Sequence, residues 1–276
     1  MARGDEASSR PAGSTAGGVL TATYGAAVYV IFLVVFLYLI GFVADADFEI
    51  GNVHVVGKSI DRGGIGDGAC TVAAVVIDTA LLALFAVQHS LMARAAFKRQ
   101  LARIVPPSAE RSTYVLASSI CLIALVAWWH PMTGDVWRVS GQPWRALLIA
   151  VGLGGWAIVL LSTFLIDHFD LFGLRQVFAR LRGRQLPEHD FATPLLYRAV
   201  RHPIYLGFLT AFWATPSMTL GHLLFAVATT GYILLAVRFE ERDLIRVFGQ
   251  QYRDYRRRVP MLIPGLGHYS RRGGGA

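Results

Sequence analysis

Arg201, His202 and Pro203 open the segment Ile204-Tyr205-Leu206-Gly207. After an almost wholly apolar stretch from Phe208 to Val237 come Glu240 and Glu241, then Phe248-Gly249, Tyr252, Tyr255 and Val259-Pro260. Pro203 suits the first position of a helix, and the N–H groups of Ile204, Tyr205 and Leu206 then have no intrahelical acceptor. With Arg201 beside them they form an anion site, and Gly207 lets a ligand approach backbone without meeting a side chain. Glu240 and Glu241 follow directly on apolar sequence, at a depth where carboxylates are costly and demand a cationic or donor-rich partner. On a continuing helix Glu241 shares a face with Leu244, Ile245, Phe248, Tyr252 and Tyr255, while Arg242, Arg246, Arg253 and Arg257 lie elsewhere. Glu241 is therefore the inward member of the pair. The plainer alternatives are a snorkelling Arg201, a Pro203 that only starts a helix, and a salt bridge from Glu241 to Arg238 or Arg201 that can coexist with binding.

Two further histidines stand where apolar runs end. His89 closes one of them, and His168 closes another between Asp167 and Asp170. The two carboxylates are expected to raise the His168 pKa and to orient one ring nitrogen as a proton acceptor; Tyr205 is the other candidate for that task. A lone His at such a position is more often a satisfied hydrogen-bonding group than a catalyst. No CxxC or clustered His/Cys pattern is present, so no structural metal is expected. Cys70 and Cys121 fall at different depths and are not expected to bridge.

The elements that must position these residues are membrane helices. Of the 276 residues 54% are hydrophobic and 16% charged, with a mean hydropathy of +0.48, which an ordinary soluble domain does not show. Apolar runs at 20–44, 70–93, 113–130 and 146–166 each approach the roughly 20 residues needed to span a bilayer as a helix. Residues 204–214 are too short for a full span and 220–237 nearly long enough, so they read as a closed helical hairpin, making six membrane segments. The expected architecture is an all-α polytopic integral membrane protein with four full spans, a C-terminal helical hairpin and an amphipathic cytoplasmic helix. By region it divides into a disordered cytoplasmic tail (1–18), a four-span membrane domain (19–200), the hairpin and C-terminal helix (201–264) and a second disordered tail (265–276).

Charge sets the orientation. Arg94, Lys98, Arg99, Arg103 and Arg111 follow span two, and Arg175, Arg180, Arg182, Arg184, Arg198 and Arg201 follow span four. The other loops hold only Lys58, Arg62, Arg138 and Arg145. By the positive-inside rule both termini are cytoplasmic in a multi-pass protein of the cell membrane. The net charge of +8 then reflects topology and lipid headgroups; no basic stripe interleaved with exposed aromatics suggests nucleic acid. Oligomeric state is not readable.

The Arg201–Gly207 and Glu240–Pro260 clusters resemble the isoprenylcysteine carboxyl methyltransferase superfamily of integral membrane enzymes, which bind S-adenosylmethionine between such a hairpin and the helix after it. Further blocks, Gln88–Arg94, Asp167–Gln176 and Thr193–Arg198, extend the resemblance from Tyr24 to Pro264 and narrow it to the bacterial branch that methylates small thiols. The resemblance implies that Arg201, His202, Pro203, Tyr205, Gly207, Glu240, Glu241 and Tyr252 hold S-adenosylmethionine, and that His168, Tyr205 or His89 assists transfer of its methyl group to methanethiol, giving dimethyl sulfide. In that reaction a thiolate meets a sulfonium, so opposite charges cancel and a water-poor pocket favours the step. Thiols ionise near or above the cysteine value of about 8.5, which makes a base or a stabilising cation worthwhile. Phe208, Phe212 and Trp213 stand where they narrow an apolar acceptor pocket, although packing is their commoner role. The rival readings are another small thiol or an isoprenylcysteine-type acceptor, a membrane reductase using a nicotinamide cofactor, and a non-enzymatic membrane accessory protein of nitrogen-oxide metabolism. The adjacent Glu pair and the short chain speak against the reductase.

Overall fold

The computed structural model describes residues 15–46, 49–50, 53–54, 57–63, 71–187 and 191–265. Cys70 and most of both terminal tails lie outside the described residues. The chain runs α1 (Thr15–Val43), the short strands β1 (Glu49–Ile50) and β2 (Val53–His54), α2 (Thr71–Met92), α3 (Ala95–Leu101), α4 (Glu110–Trp128), β3 (Asp135–Arg138) and α5 (Trp144–Ile166). It continues through α6 (His168–Leu171), α7 (Leu174–Leu181), α8 (Leu196–Ala199), α9 (Pro203–Trp213), β4 (Ser217–Thr219), α10 (Leu220–Phe248) and α11 (Gln250–Arg258).

Among the described residues five helices, not four, are long and apolar enough to cross a membrane: α1, α2, α4, α5 and α10. The expected near-span at 220–237 continues as one 29-residue helix through Glu240 and Glu241 to Phe248, a length of about 44 Å at 1.5 Å per residue. Thr219 starts it, its hydroxyl accepting the His222 N–H at 3.1 Å, so one orphan donor of the first turn is satisfied. Helix α1 begins at Thr15, inside the region 1–18. Gly18 and Gly25 lie against Leu181 and Val177 of α7, and α1 is thereby joined to the helices that follow α5.

The short α9 is continued by extended chain. Its 11 residues cover only about 16 Å, after which the chain becomes extended and β4 pairs antiparallel with β3 from the α4–α5 connection. Val139 N–H donates to the Pro216 carbonyl at 2.7 Å and the Trp137 indole N–H to the Thr215 carbonyl at 3.1 Å, so the non-helical backbone is satisfied by protein. The 204–214 and 220–237 segments thus form a short apolar helix with an extended continuation, followed by one long apolar helix.

An aromatic core ties the bundle together. Phe42, Trp129, Phe225, Phe212 and Trp156 form a chain of edge contacts through α1, α4, α10, α9 and α5. The tightest helix pair is α5 with α9. A Cβ on Gly207 would lie 2.7 Å from the Gly155 carbonyl oxygen and 2.8 Å from Val159 Cγ2, and one on Gly155 would lie 2.6 Å from Ala211 N. Small residues here let two backbones touch, which in lipid replaces the hydrophobic effect as the source of association. At the face opposite the basic loops, Asp78 of α2 is fully buried and accepts the His130 N–H at 2.9 Å, closing the end of α4.

Candidate functional site

Three pieces of chain meet at the basic end of α9. Arg201 N–H and His202 N–H donate to the carbonyls of Pro260 and Met261, so the strand-like approach to α9 is held by the segment after α11. Pro203 then begins the helix as expected. The expected set of three free donors is reduced, because Leu206 N–H donates to the His202 carbonyl at 3.1 Å.

Glu241 is buried, and it is crowded with cations. Arg201 Nε and Nη2 both lie 2.7 Å from its Oε1, His202 Nε2 is 3.2 Å from the same oxygen, and Arg256 Nη1 is 3.6 Å from Oε2. Arg201 also donates to the carbonyls of Arg256 and Val259 at the end of α11. The inward orientation read for Glu241 is present, and so is the alternative salt bridge to Arg201. Arg201 is not the free cation of an anion site, because its guanidinium is already shared among a carboxylate and two carbonyls. Glu240 differs: its side chain is 45% exposed, Tyr205 Oη donates to Oε2 at 2.9 Å, and His202 Nδ1 stands 3.9 Å away. Of the adjacent carboxylates, one is committed to protein cations and the other keeps acceptor capacity toward a ligand.

Gly249, at φ +56°, breaks the continuing helix and redirects it as α11. The shared face survives the break, with Glu241, Tyr252 and Tyr255 buried and Arg242, Arg246, Arg253 and Arg257 exposed. Tyr255 Oη donates to the Tyr197 carbonyl at 2.5 Å, and Phe191 packs on Phe248, Tyr252 and Tyr255. Two hydroxyls in this group have nothing to bond: Tyr252 Oη and Tyr197 Oη are both buried without a hydrogen-bond partner among the described residues. Burial first, then Glu241 for Tyr252 and Glu240 for Tyr197, push the two phenols above their ordinary range, so both are neutral donors. Buried polar groups in folded proteins are nearly always paired. A pair of orphan hydroxyls beside a half-free carboxylate fits a ligand rich in hydroxyl and amine groups, which is the polar character of S-adenosylmethionine. Tyr197 was missed from sequence; it lies in the Thr193–Arg198 block, but a single Tyr there carries no spacing signal. Arg256 was missed for the same reason.

Gly207 lies in the contact between α9 and α5. Its open side faces Gly155 and Val159 of α5, so the absent side chain is explained by helix packing.

His168 also departs from expectation. Its ring is 5% exposed, with Nε2 2.7 Å from Tyr29 Oη, Nδ1 2.9 Å from Thr163 Oγ1 and Phe164 stacked at 4.3 Å. Asp167 instead pairs with Arg175 and accepts the Asp170 N–H, while Asp170 holds Gln176 at 2.9 Å and faces Arg111 at 3.6 Å. Burial lowers the His168 pKa, where neighbouring carboxylates were expected to raise it. Its hydrogen-bond partners belong to α1 and α5, and none is part of the Glu240–Glu241 group.

His89 lies nearer that group. Its Nε2 is 2.6 Å from Tyr114 Oη and its Nδ1 3.1 Å from Ser118 Oγ, both on α4, and Phe85 stacks on the ring at 5.1 Å. The end of α2 is fastened to α10 by Arg94, which lies over the Phe239 ring at 4.4 Å and 3.4 Å from Asp243. Phe208 and Phe212 pack with Trp156, and Trp213 donates its indole N–H to Thr230 at 2.9 Å.

The geometry can be set beside known proteins. The chain is 54% identical over 245 residues to a protein of Mycobacterium tuberculosis named methanethiol S-methyltransferase, covering 89% of this chain and 96% of that one. It is also 54% identical over 244 residues to methanethiol S-methyltransferase 2 of Bradyrhizobium diazoefficiens, covering 88% and 89%. With the methanethiol S-methyltransferase of Pseudomonas deceptionensis it shares 48% over 217 residues, covering 79% and 81%. No family model matches the chain, and no solved structure matches it.

Proposed function

The chain belongs to the methanethiol S-methyltransferase family, and we infer that its reaction, transfer of the S-adenosylmethionine methyl group to methanethiol with dimethyl sulfide as product, takes place beside the Glu240–Glu241 cluster. The observation that carries the placement is the pair of buried, unpartnered hydroxyls of Tyr197 and Tyr252 next to a carboxylate with spare acceptor capacity.

When bound, S-adenosylmethionine supplies a methyl carbon made electrophilic by its sulfonium. Glu240 holds the cofactor's ammonium or hydroxyl groups, steadied by the Tyr205 hydroxyl. Tyr252 and Tyr197 bond polar groups of the same ligand. Arg201, His202 and Arg256 converge on Glu241 and lock α9 to α10 and α11, so the Glu240 side of the site keeps its shape. Pro203 sets the start of α9. Phe191 covers the tyrosines and excludes water.

This face is cytoplasmic. The α2–α4 connection with Arg94, Arg99 and Arg103 and the α5–α9 connection with Arg175, Arg180, Arg182, Arg184, Arg198 and Arg201 lie on it, and by the positive-inside rule both termini are on the same side. A neutral thiol reaches the site through the apolar layer, and the neutral sulfide leaves the same way.

Incubating membranes that contain the protein with labelled S-adenosylmethionine and a panel of short thiols tests the reading. Labelled dimethyl sulfide from methanethiol is expected; label appearing only on isoprenylcysteine analogues, or in no product, overturns it. Within the site, Tyr252→Phe is expected to raise the cofactor Kd about tenfold, the loss of one hydrogen bond near the upper end of its usual worth. The thermal midpoint should not fall, since the hydroxyl has no protein partner to lose. Calorimetric titration alongside a melting curve checks both halves.

His168 serves to hold α1 against the end of α5. His168→Ala takes away the 2.7 Å partner of the half-buried Tyr29 hydroxyl, while Thr163 keeps its bond to the Leu160 carbonyl, so the lost hydrogen bond costs about 1 kcal/mol. The melting temperature should drop while cofactor affinity is retained. Because burial depresses its folded pKa, its contribution is complete above the unfolded value of about 6.5 and is lost as pH falls below it. The variant should therefore show a shallower acid limb in a plot of stability against pH.

A further inference from the structure

We propose that Tyr114 is the group that takes the proton from the incoming thiol, with His89 as the positioning residue that receives Tyr114's own proton. The inference rests on the site reading above and adds a base that the sequence clusters do not contain. Tyr114 lies on α4, His89 on α2, and the 2.6 Å contact between Oη and Nε2 is the closest bond either side chain makes. With Nδ1–H donating to Ser118 Oγ, Nε2 presents its lone pair to the Tyr114 hydroxyl. Phe85 stacks on the imidazole and fixes its plane.

The pair stands against α10, the helix that carries Glu240. Tyr232 of α10 is its neighbour, edge-on to Phe85 at 6.3 Å and 3.4 Å from Ser90 Oγ. Tyr114 lies within electrostatic range of Tyr232 and Glu240, and Tyr205 within range of Glu240, Tyr232 and Tyr114. Along α10, Tyr232 stands about 12 Å deeper than Glu240. His89 is in the last turn of α2 and Tyr114 near the start of α4, so the relay stands at the same end of the bundle as the carboxylates, on the side where α2 and α4 meet α10.

The charges and atoms balance. The thiol S–H bond breaks as its proton passes to Tyr114 Oη, and the Tyr114 proton passes to His89 Nε2. The thiolate lone pair forms the new bond to the methyl carbon, and the pair of the breaking carbon–sulfonium bond stays on the departing sulfur. One positive charge disappears at that sulfur and one appears on the imidazole, so the pocket's net charge is unchanged and Glu240 is never left as an uncompensated anion. Release of the His89 proton through Tyr114 resets the pair.

The test uses the full-length protein in lipid nanodiscs. Tyr114→Phe removes the relay hydroxyl with little change in shape. With methanethiol its kcat should fall about 100-fold, within the usual range for a general base. With the more acidic 2,2,2-trifluoroethanethiol, which brings its own thiolate, the loss should stay under about tenfold by the same reasoning. His89→Gln should show the same split. A second readout needs no turnover: in a complex with an unreactive amine analogue of the cofactor, methanethiol should give thiolate ultraviolet absorbance in the wild type and none in either variant. Equal losses with both thiols, or absorbance retained in Tyr114→Phe, overturn the proposal. Should the variants fail to fold, absence of thiolate absorbance from the wild-type complex overturns it alone. Calorimetric binding of S-adenosylmethionine, expected to be unchanged in both variants, separates this outcome from failure of the Glu240 site, which would show as binding indifferent to Glu240→Ala.

Discussion

Glu241→Ala is expected to abolish methyl transfer and to lower the stability of the C-terminal third of the protein by about 3 kcal/mol, the low end for removing one partner of a buried ion pair. Three cationic or donor groups converge on this carboxylate, and two of them, Arg201 and His202, are 10% or less exposed at the side chain. Without Glu241 their charge and hydrogen-bonding capacity have no acid to meet, and the joint between α9 and α10 opens. Glu241→Gln keeps an acceptor for Arg201 but not the charge, and should fall between the alanine variant and the wild type. Glu240→Ala is the informative contrast. Its carboxylate bonds Tyr205 and otherwise faces outward, so its removal should leave the melting temperature nearly intact while weakening cofactor binding. Melting curves and calorimetric titrations of the two alanine variants decide the matter. Wild-type stability in Glu241→Ala, or normal cofactor affinity in Glu240→Ala, would show that the division of labour between the adjacent carboxylates is wrong.

That division could not be read from sequence, although the orientation of Glu241 could. Helical periodicity places Glu241, Tyr252 and Tyr255 on one face, and it does so even across Gly249, because the turn there redirects the axis without reversing the buried side. Periodicity says which way a carboxylate points, not which cation reaches it first. Long spans were legible for a similar reason: a run near 20 apolar residues admits few other folds. The extended chain after α9 was not, because it depends on Ser217–Thr219 finding Asp135–Arg138, a pairing between remote segments too short to carry a pattern. His168 shows a third kind of failure. Asp167 and Asp170 flank it in the chain, yet the turn at the end of α5 sends both carboxylates to Arg175, Gln176 and Arg111, and the ring itself inward to Tyr29 and Thr163. Tyr114 and Tyr197 sit among residues that look like ordinary helix and loop. Only their placement beside His89 and Glu240 gives them meaning.

Gly207→Val is the second substitution expected to have a large effect, and its outcome separates two physical explanations for the same glycine. If the role of Gly207 were close approach of a ligand, valine would weaken cofactor binding in a stably folded protein. The structure places the missing side chain against α5 instead, where even a Cβ would stand 2.7 Å from the Gly155 carbonyl oxygen and 2.9 Å from Val159 N. Neither obstacle is the flexible end of a side chain, so α9 must move away from α5. Overpacking of this kind costs roughly 1–3 kcal/mol and occasionally more, and in lipid no hydrophobic gain offsets the lost backbone contact. Because α9 begins with the residues that grip Glu241, its displacement should also disable the site. Valine is therefore expected to lower the melting temperature and the yield of folded protein first, with activity lost in proportion. Gly155→Ala supplies the control, since it presses on the same contact from α5, against Ala211 N and the Gly207 carbonyl. It should reproduce the destabilisation, and saturating cofactor should restore neither variant. A Gly207→Val protein that melts normally and fails only to bind S-adenosylmethionine, beside a Gly155→Ala protein with unchanged stability, would return the glycine to the ligand site.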